Sequence, residues 1–331
     1  MTYTSGSLIQ AADYNGFVST NVGANVNNVW ATGSTTSGYG QSALSNVSAA
    51  GTVTATQWAG LVNNIQSMAS HTGATTTART APVAGNTIAV LAAVNTDLTT
   101  ITANRANAAA SGTQYGTFTG TISKTAATGS GSTAWTITFT HTITWASADA
   151  ARYFFNAGGI VRWQTQKTAD TTASDTEWND LANTLVGAIN ITGGGTARIA
   201  GTNYTGTTKV GGTGTPTTLL TATGWYQLLT SDTLIYKQFA DTSPYTGSYI
   251  QINAKTAGTG TQLVLTTVWS DPGNSGTGSS DNISGGTGLS SPATAFGAAT
   301  APTTLVTYLP PSSTYLTTAS WGTPTIAATV V

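Results

Sequence analysis

Two hydrophobic patterns divide the chain. Up to about residue 110, apolar residues recur every three or four positions, which is typical of helices that pack through one face. From there to about residue 270, apolar positions alternate with threonine, which is typical of strands with one buried face. The patterns predict an α+β, mainly β protein with three parts. They are a helical region (1–110), a sandwich-like antiparallel β-rich domain with two short helices (111–270), and a Gly/Ser/Pro-rich loop with an extended C-terminal arm (271–331).

The clearest helix signal runs from Thr54 to Gly73. Thr54 and Gln57 have the spacing of a capping box, in which each side chain bonds the backbone N–H of the other residue. Apolar residues then keep helical spacing from Trp58 onward until Gly73 ends the pattern. A second capping box, Ser-Asp-Thr-Glu at 174–177, also precedes a tryptophan. Weaker patterns predict helices at 8–30, 86–107 and 149–156.

The clearest strand signal is the strict alternation from Ala134 to Trp145. Residues 115–122 alternate less regularly, and the Gly/Ser-rich loop 125–133 predicts that these two segments form a hairpin. Further strands are predicted at 160–165, 188–200, 217–229, 234–239, 248–254 and 262–269.

The last segment contains several prolines: Pro292, Pro302, Pro310, Pro311 and Pro324. Because proline lacks a backbone N–H, it confines the apolar stretches between these positions to edge strands or extended arms. Two placements stay open at this point. The arm either adds a strand to a neighbouring subunit or returns to its own sheet.

Charge is scarce along the chain. The 331 residues include 10 Lys or Arg and 11 Asp or Glu, or 6% charged residues against about 25% in ordinary soluble domains. Without basic clusters, a nucleic-acid partner is not expected. Cysteine is absent, which excludes disulfides and thiolate metal sites. Because a neutral, threonine-rich surface favours association, we expect a homo-oligomer, for example a trimer.

Candidate chemistry is sparse, and no catalytic, cofactor-binding or metal site is predicted. His71 lies at the end of the capped helix, where it suits the helix dipole, and His141 lies on the apolar face of the clearest strand. Carboxylates cluster once, at Asp170, Asp175, Glu177 and Asp180. Paired carboxylates cleave glycosides, but capping of the helix explains Asp175 and Glu177 better.

Three further features have a chemical interpretation and a plainer one. Asp271, Asn274 and Asp281 offer oxygen ligands for calcium, although they also suit turns. Gly193–Gly195 lack the spacing and the lysine of a phosphate loop. Four aromatic residues outside the periodic segments are candidates for stacking on sugar rings: Trp225, Tyr226, Tyr245 and Tyr249.

Several strings resemble virion structural proteins of tailed bacteriophages. They are SGSLIQAADYN at 5–15 followed by Trp30 and GYGQ at 38–41, VTATQWAGL at 53–61 with its terminal His71, and ARYFFNAGG at 151–159. The resemblance implies a non-enzymatic tail, baseplate or fibre component that assembles with itself and with other virion proteins, with the helical region 1–110 as its virion-docking region. In such a component, Arg152 and Tyr153–Asn156 would hold the corner at Gly158-Gly159.

Location and partners follow from this resemblance as expectations. The first residues lack a basic and an apolar signal region, and no apolar run reaches the length of about 20 residues that spans a membrane. We therefore expect a virion protein assembled in the host cytoplasm, without a membrane span, and with a host-surface glycan or receptor as a further partner. The alternatives are a head or neck decoration protein, a sugar-cleaving fibre and a bacterial surface adhesin module.

Overall fold

The computed structural model describes residues 10–21, 24–84, 91–107, 120–124, 135–168, 173–199, 202–243, 245–271 and 301–331. Its helices and two antiparallel sheets form an α+β, mainly β fold, as predicted. The α-helices are α1 (Ala11–Asn15), α2 (Val26–Trp30), α3 (Ala55–Thr72), α4 (Leu91–Ala103), α5 (Ala148–Asn156) and α6 (Ala173–Asp180). None of the described helices is long and apolar enough to cross a membrane.

The strands are β1 (Gly120–Ser123), β2 (Trp135–Thr144), β3 (Ile160–Gln166), β4 (Ala188–Ile199), β5 (Thr202–Val210), β6 (Thr218–Leu219), β7 (Thr233–Phe239), β8 (Tyr249–Ala257), β9 (Gln262–Asp271), β10 (Thr303–Leu309) and β11 (Thr325–Val330). The first sheet has the order β1-β10-β3-β4-β5, and the second has the order β11-β2-β9-β8-β7-β6. We call them sheet I and sheet II.

Helix α3 forms as predicted. The Thr54 side chain accepts from the N–H of Gln57, the Gln57 side chain accepts from the N–H of Thr54, and Gly73 ends the helix with φ +65°. The predicted helix 8–30 is instead divided. A π-helical turn (Gly16–Thr20) follows α1, and α2 begins afresh because Asn25 caps it by accepting from the N–H of Asn28. Helix α4 lies within the predicted range 86–107, of which 86–90 fall outside the described residues.

Strand β2 shows the predicted alternation, with every second side chain from Trp135 buried. The predicted hairpin between 115–122 and 135–145 is wrong, because β1 pairs with β10 in sheet I while β2 pairs with β9 and β11 in sheet II. Alternation reveals which face of a strand is buried, but it carries no information about the strand's partner. Residues 115–119 and the loop 125–133 lie outside the described residues.

Two predictions around residue 200–230 fail for local reasons. Strand β5 was not predicted, because its sequence TNYTGTTKV is mostly polar and its burial does not alternate. The strand predicted at 217–229 is only the short β6, followed by a 3₁₀ turn at Trp225–Gln227. Gly224 occupies a position where a Cβ would lie 2.5 Å from the backbone nitrogen of Gly194, so the chain turns here against β4.

The C-terminal segment returns to the chain's own sheets. Strand β10 lies between β1 and β3 in the interior of sheet I, and β11 lies at the edge of sheet II beside β2. The expected confinement of this segment to edges and arms is therefore wrong for β10. Pro302 and Pro310 flank β10 without interrupting it, so every residue of the strand keeps its backbone N–H.

Tryptophans fill the space between the two sheets. Trp178 of α6 stacks on Trp269 of β9, with ring centroids 5.7 Å apart, and contacts Trp135 of β2 at 4.7 Å. Trp163 of β3 donates its indole N–H to the Thr267 hydroxyl of β9 across the gap, at 2.7 Å. One hydrophobic cluster includes these rings and buried residues from all three predicted parts of the chain.

We expect Thr267→Val to lower the free energy of unfolding by about 1–3 kcal/mol, because the buried Trp163 N–H loses its acceptor while the side-chain volume stays nearly constant. Urea unfolding measures this change. Thr266→Val is the matched control, since Thr266 is the neighbouring, half-buried residue of the same strand. An equal loss in both variants would contradict the importance of this bond between the sheets.

Candidate functional site

The helix-to-strand corner at 147–160 is built as the sequence predicts. Ser147 caps α5 by accepting from the N–H of Ala150, and Gly158 adopts φ +91° after the helix. A Cβ at Gly159 would lie 2.5 Å from the ring of Phe154, so no larger residue fits there without a shift. The corner brings α5 directly into β3.

Arg152 and Asn156 join this corner to the N-terminal region. Arg152 donates to the backbone oxygen of Ser37 at 2.7 Å and forms an ion pair with Asp149 at 3.0 Å. The Asn156 amide donates to the backbone oxygen of Gly38 at 3.0 Å, and its side-chain oxygen accepts from the Tyr226 hydroxyl at 2.6 Å. Asn156 is buried and thus connects the loop 33–40, α5 and the turn after β6.

Two of the predicted sugar-stacking residues are not available for that role. Trp225 is buried and stacks on Phe155 at 5.1 Å, and Tyr226 points its hydroxyl at Asn156. Burial raises the pKa of Tyr226 well above its usual value. Tyr249 is half-buried with the Lys237 ammonium 3.5 Å from its ring centroid, and Tyr245 is half-buried. The non-periodic sequence around these rings suggested a surface, but the corner covers Trp225 and most of Tyr226.

We call the contact between the loop 33–40, α5 and the turn after β6 the joint. A cavity of about 170 Å³ lies there. Its lining residues are Thr36, Arg105, Ala106, Phe155, Asn156, Gly193, Gly194, Gly195, Ala197, Tyr226 and Gln227. Ligand pockets usually measure about 300–1,000 Å³, so this cavity is smaller than a usual ligand pocket. Packing explains Gly194, because a Cβ at this position would lie 2.2 Å from the Gln227 side chain. The Arg105 guanidinium is engaged by the backbone oxygens of Thr36 and Thr102.

Both histidines are buried cross-links between elements. His71 Nε2 lies 3.0 Å from the backbone oxygen of Ala157 and so bonds the end of α5. From its position in the sequence, a contact with the end of its own helix was expected instead. His141 Nε2 lies 3.0 Å from the backbone oxygen of Gly120 and connects β2 in sheet II with β1 in sheet I. Burial lowers the pKa of each histidine to about 4.

The structure changes the composition of the predicted carboxylate cluster. Asp170 and the side chain of Asp175 lie outside the described residues, whereas Asp241, from the loop after β7, joins Glu177 and Asp180. One carboxylate oxygen from each of these three residues lies within 4.8 Å of the others. The sequence carried no signal for Asp241, because Asp-Thr-Ser reads as an ordinary turn.

The predicted capping role of Glu177 is wrong. Helix α6 begins at Ala173, so Glu177 lies beyond its first turn, and its side chain is buried with the residue 7% exposed. Burial is the main cause that raises the pKa of Glu177, hydrogen bonds from Thr242 oppose it, and the Asp241 and Asp180 charges add to it. For the calcium candidates, Asp271 is buried at the end of β9, while Asn274 and Asp281 lie outside the described residues.

Comparisons of the chain with protein-family models, with curated proteins and with solved structures returned no significant match.

We expect Asn156→Ala to destabilise the fold by about 2–4 kcal/mol, because the variant loses the bond to Gly38 and the 2.6 Å bond from the Tyr226 hydroxyl, which keeps only a longer contact of 3.3 Å with the backbone oxygen of Arg152. Thermal unfolding and limited proteolysis of the loop 33–40 measure the effect. Asn203→Ala, at an exposed position of β5, is the control and should change the free energy of unfolding by less than about 0.5 kcal/mol. A similar cost for both variants would refute the role of Asn156.

The histidines predict a loss of stability in mild acid. Below pH 6.5 the unfolded chain takes up protons that the folded chain, with a histidine pKa of about 4, does not. We expect the free energy of unfolding to fall by up to about 1.4 kcal/mol per pH unit and per histidine between pH 6.5 and 4. The two histidines should give two NMR signals that titrate near pH 4, and titration of both near pH 6.5 would contradict the burial.

Proposed function

We propose that the chain is a non-enzymatic structural subunit that assembles with copies of itself, as a tail, baseplate or fibre component of a tailed-phage particle. The observation that carries this proposal is how the chain uses its few charges. Residues with internal roles include the buried ion pair of Arg79 and Asp97, and the buried side chains of Lys167, Glu177 and Asp271. Only 6% of the residues are charged, and because several of these are buried, the number of charged side chains at the surface is smaller still.

A neutral surface supports assembly for a physical reason. The central parts of protein interfaces are depleted of charged residues, since burying a charge requires its desolvation. The exposed positions of β11 are Thr325, Ala327 and Thr329, which are small and uncharged, and β11 is an edge strand of its sheet. Such a strand offers backbone groups to a neighbouring subunit without introducing charge repulsion.

The phage context of the proposal comes from the resemblance of the residue strings. Two of the strings meet at the joint described above, because GYGQ at 38–41 and ARYFFNAGG at 151–159 are connected through Gly38 and Asn156. In this proposal the helical region docks to the particle and the sheets pack against neighbouring subunits. The joint keeps the helical region and the sheets in a fixed arrangement. A decoration protein of the head or neck would share these properties.

The native mass of the purified chain tests the proposal of self-assembly. We expect a stable multiple of 33.4 kDa at micromolar concentration, measured by native mass spectrometry and by light scattering. A persistent monomer would count against it. For the phage context, labelling of the chain in purified particles should locate it on the tail, and absence from the particles would refute that part.

The sugar-cleaving alternative has its own test. It requires that the native protein releases sugars from host polysaccharide and that amide replacement of Asp175 and Glu177 abolishes this release. The burial of Glu177 argues against access of a polymer to its carboxylate. We expect no sugar release by the native protein.

A further inference from the structure

Three carboxylates converge on one point between α6 and the loop after β7. Glu177 and Asp180 lie one helical turn apart on α6, and Asp241 approaches them from the loop. Three of the chain's 11 acidic residues thus share one site. The charged groups that act on Glu177 are Asp241 and Asp180, both of which are negative.

The Glu177 carboxylate lacks hydrogen-bond donors for one of its oxygens. Glu177 is 7% exposed, and its Oε1 atom is buried without a hydrogen-bond partner among the described residues. Thr242 is the residue that hydrogen-bonds to this carboxylate, and its hydroxyl also lies 3.3 Å from Asp241 Oδ1. The hydroxyl and the backbone N–H of Thr242 both serve this carboxylate, yet its Oε1 atom remains buried without a hydrogen bond. A buried anionic oxygen of this kind needs a positive partner.

We propose that Glu177, Asp180 and Asp241 bind a calcium ion that connects α6 to the loop after β7. Calcium prefers carboxylate oxygens at 2.3–2.6 Å, so two oxygens on opposite sides of one ion lie up to about 5 Å apart. The three ligand oxygens all lie within 4.8 Å of one another, which is compatible with this limit. Magnesium usually keeps several waters and takes one or two protein carboxylates, so a set of three carboxylates suits calcium better.

The surrounding structure positions the ligands before an ion binds. The loop after β7 is closed by a backbone hydrogen bond from Ala240 to Ser248 at 2.9 Å, which holds Asp241 beside the helix. On the other side, Trp178 follows Glu177 directly and is packed between Trp135 and Trp269. The exposed Asp241 leaves one side of the site accessible, where water supplies the remaining ligands.

Calcium titration of the full chain tests the proposal. After removal of metals with EDTA, we expect calorimetry to show one calcium per chain and the thermal unfolding midpoint to rise by several degrees. Asp241→Asn should weaken calcium binding by about tenfold or more, because the site loses one charged ligand. Since Asp241 is exposed, this variant keeps the buried part of the site and should fold. Without calcium it should be at least as stable as the native protein, because the repulsion on Glu177 is reduced.

Asp232→Asn is the matched control. Asp232 is paired with Lys255 at 3.2 Å and is not a member of the cluster, so its replacement should leave calcium binding unchanged. The proposal is overturned if the native protein shows no saturable calcium binding, or if Asp241→Asn and Asp232→Asn weaken binding equally. It is also overturned if calcium has no effect while acidification alone raises the unfolding midpoint, since a shared proton would then neutralise the cluster.

Discussion

The packing of two sheets around a layer of tryptophans is the interaction on which the other features depend. Sheets I and II bury their inner faces against each other, and Trp163, Trp178 and Trp269 are almost completely removed from solvent between them. Each buried tryptophan removes about 150–250 Å² of surface from water, so a few such rings contribute much of the hydrophobic stabilisation. The position of α6, and with it the acidic cluster, follows from the insertion of Trp178 into this layer.

The chain compensates for its scarcity of charges by using polar groups as internal connectors. Asn156, the two histidines and Thr267 each bond a residue far away in the sequence. Neutral connectors of this type avoid the desolvation cost of buried ions, which allows them in a core. Because charged residues are scarce in this chain, three carboxylates that converge on one point stand out, and a cation is proposed at that point.

Local features of the fold were predictable from the sequence, and long-range ones were not. The helix at Thr54–Gly73, the alternation of β2 and the corner at Gly158-Gly159 follow from capping residues, periodicity and glycine conformation. The partner of β1, the interior place of β10 and the approach of Asp241 to Glu177 depend on contacts between distant segments. Periodicity encodes the buried face of an element, whereas its neighbour is chosen by the whole core.

The place of β10 has a consequence for how the molecule is made. β10 is the last strand of sheet I in the chain, yet it lies between β1 and β3, which are much earlier. During synthesis, the edges of β1 and β3 that pair with β10 therefore stay unpaired until residues 303–309 leave the ribosome. Pairing over such a separation is slow, because a long loop must close before any contact forms. In the nascent chain the place of β10 between β1 and β3 is thus still empty. The β10 strand of another copy has the same sequence and could occupy that place.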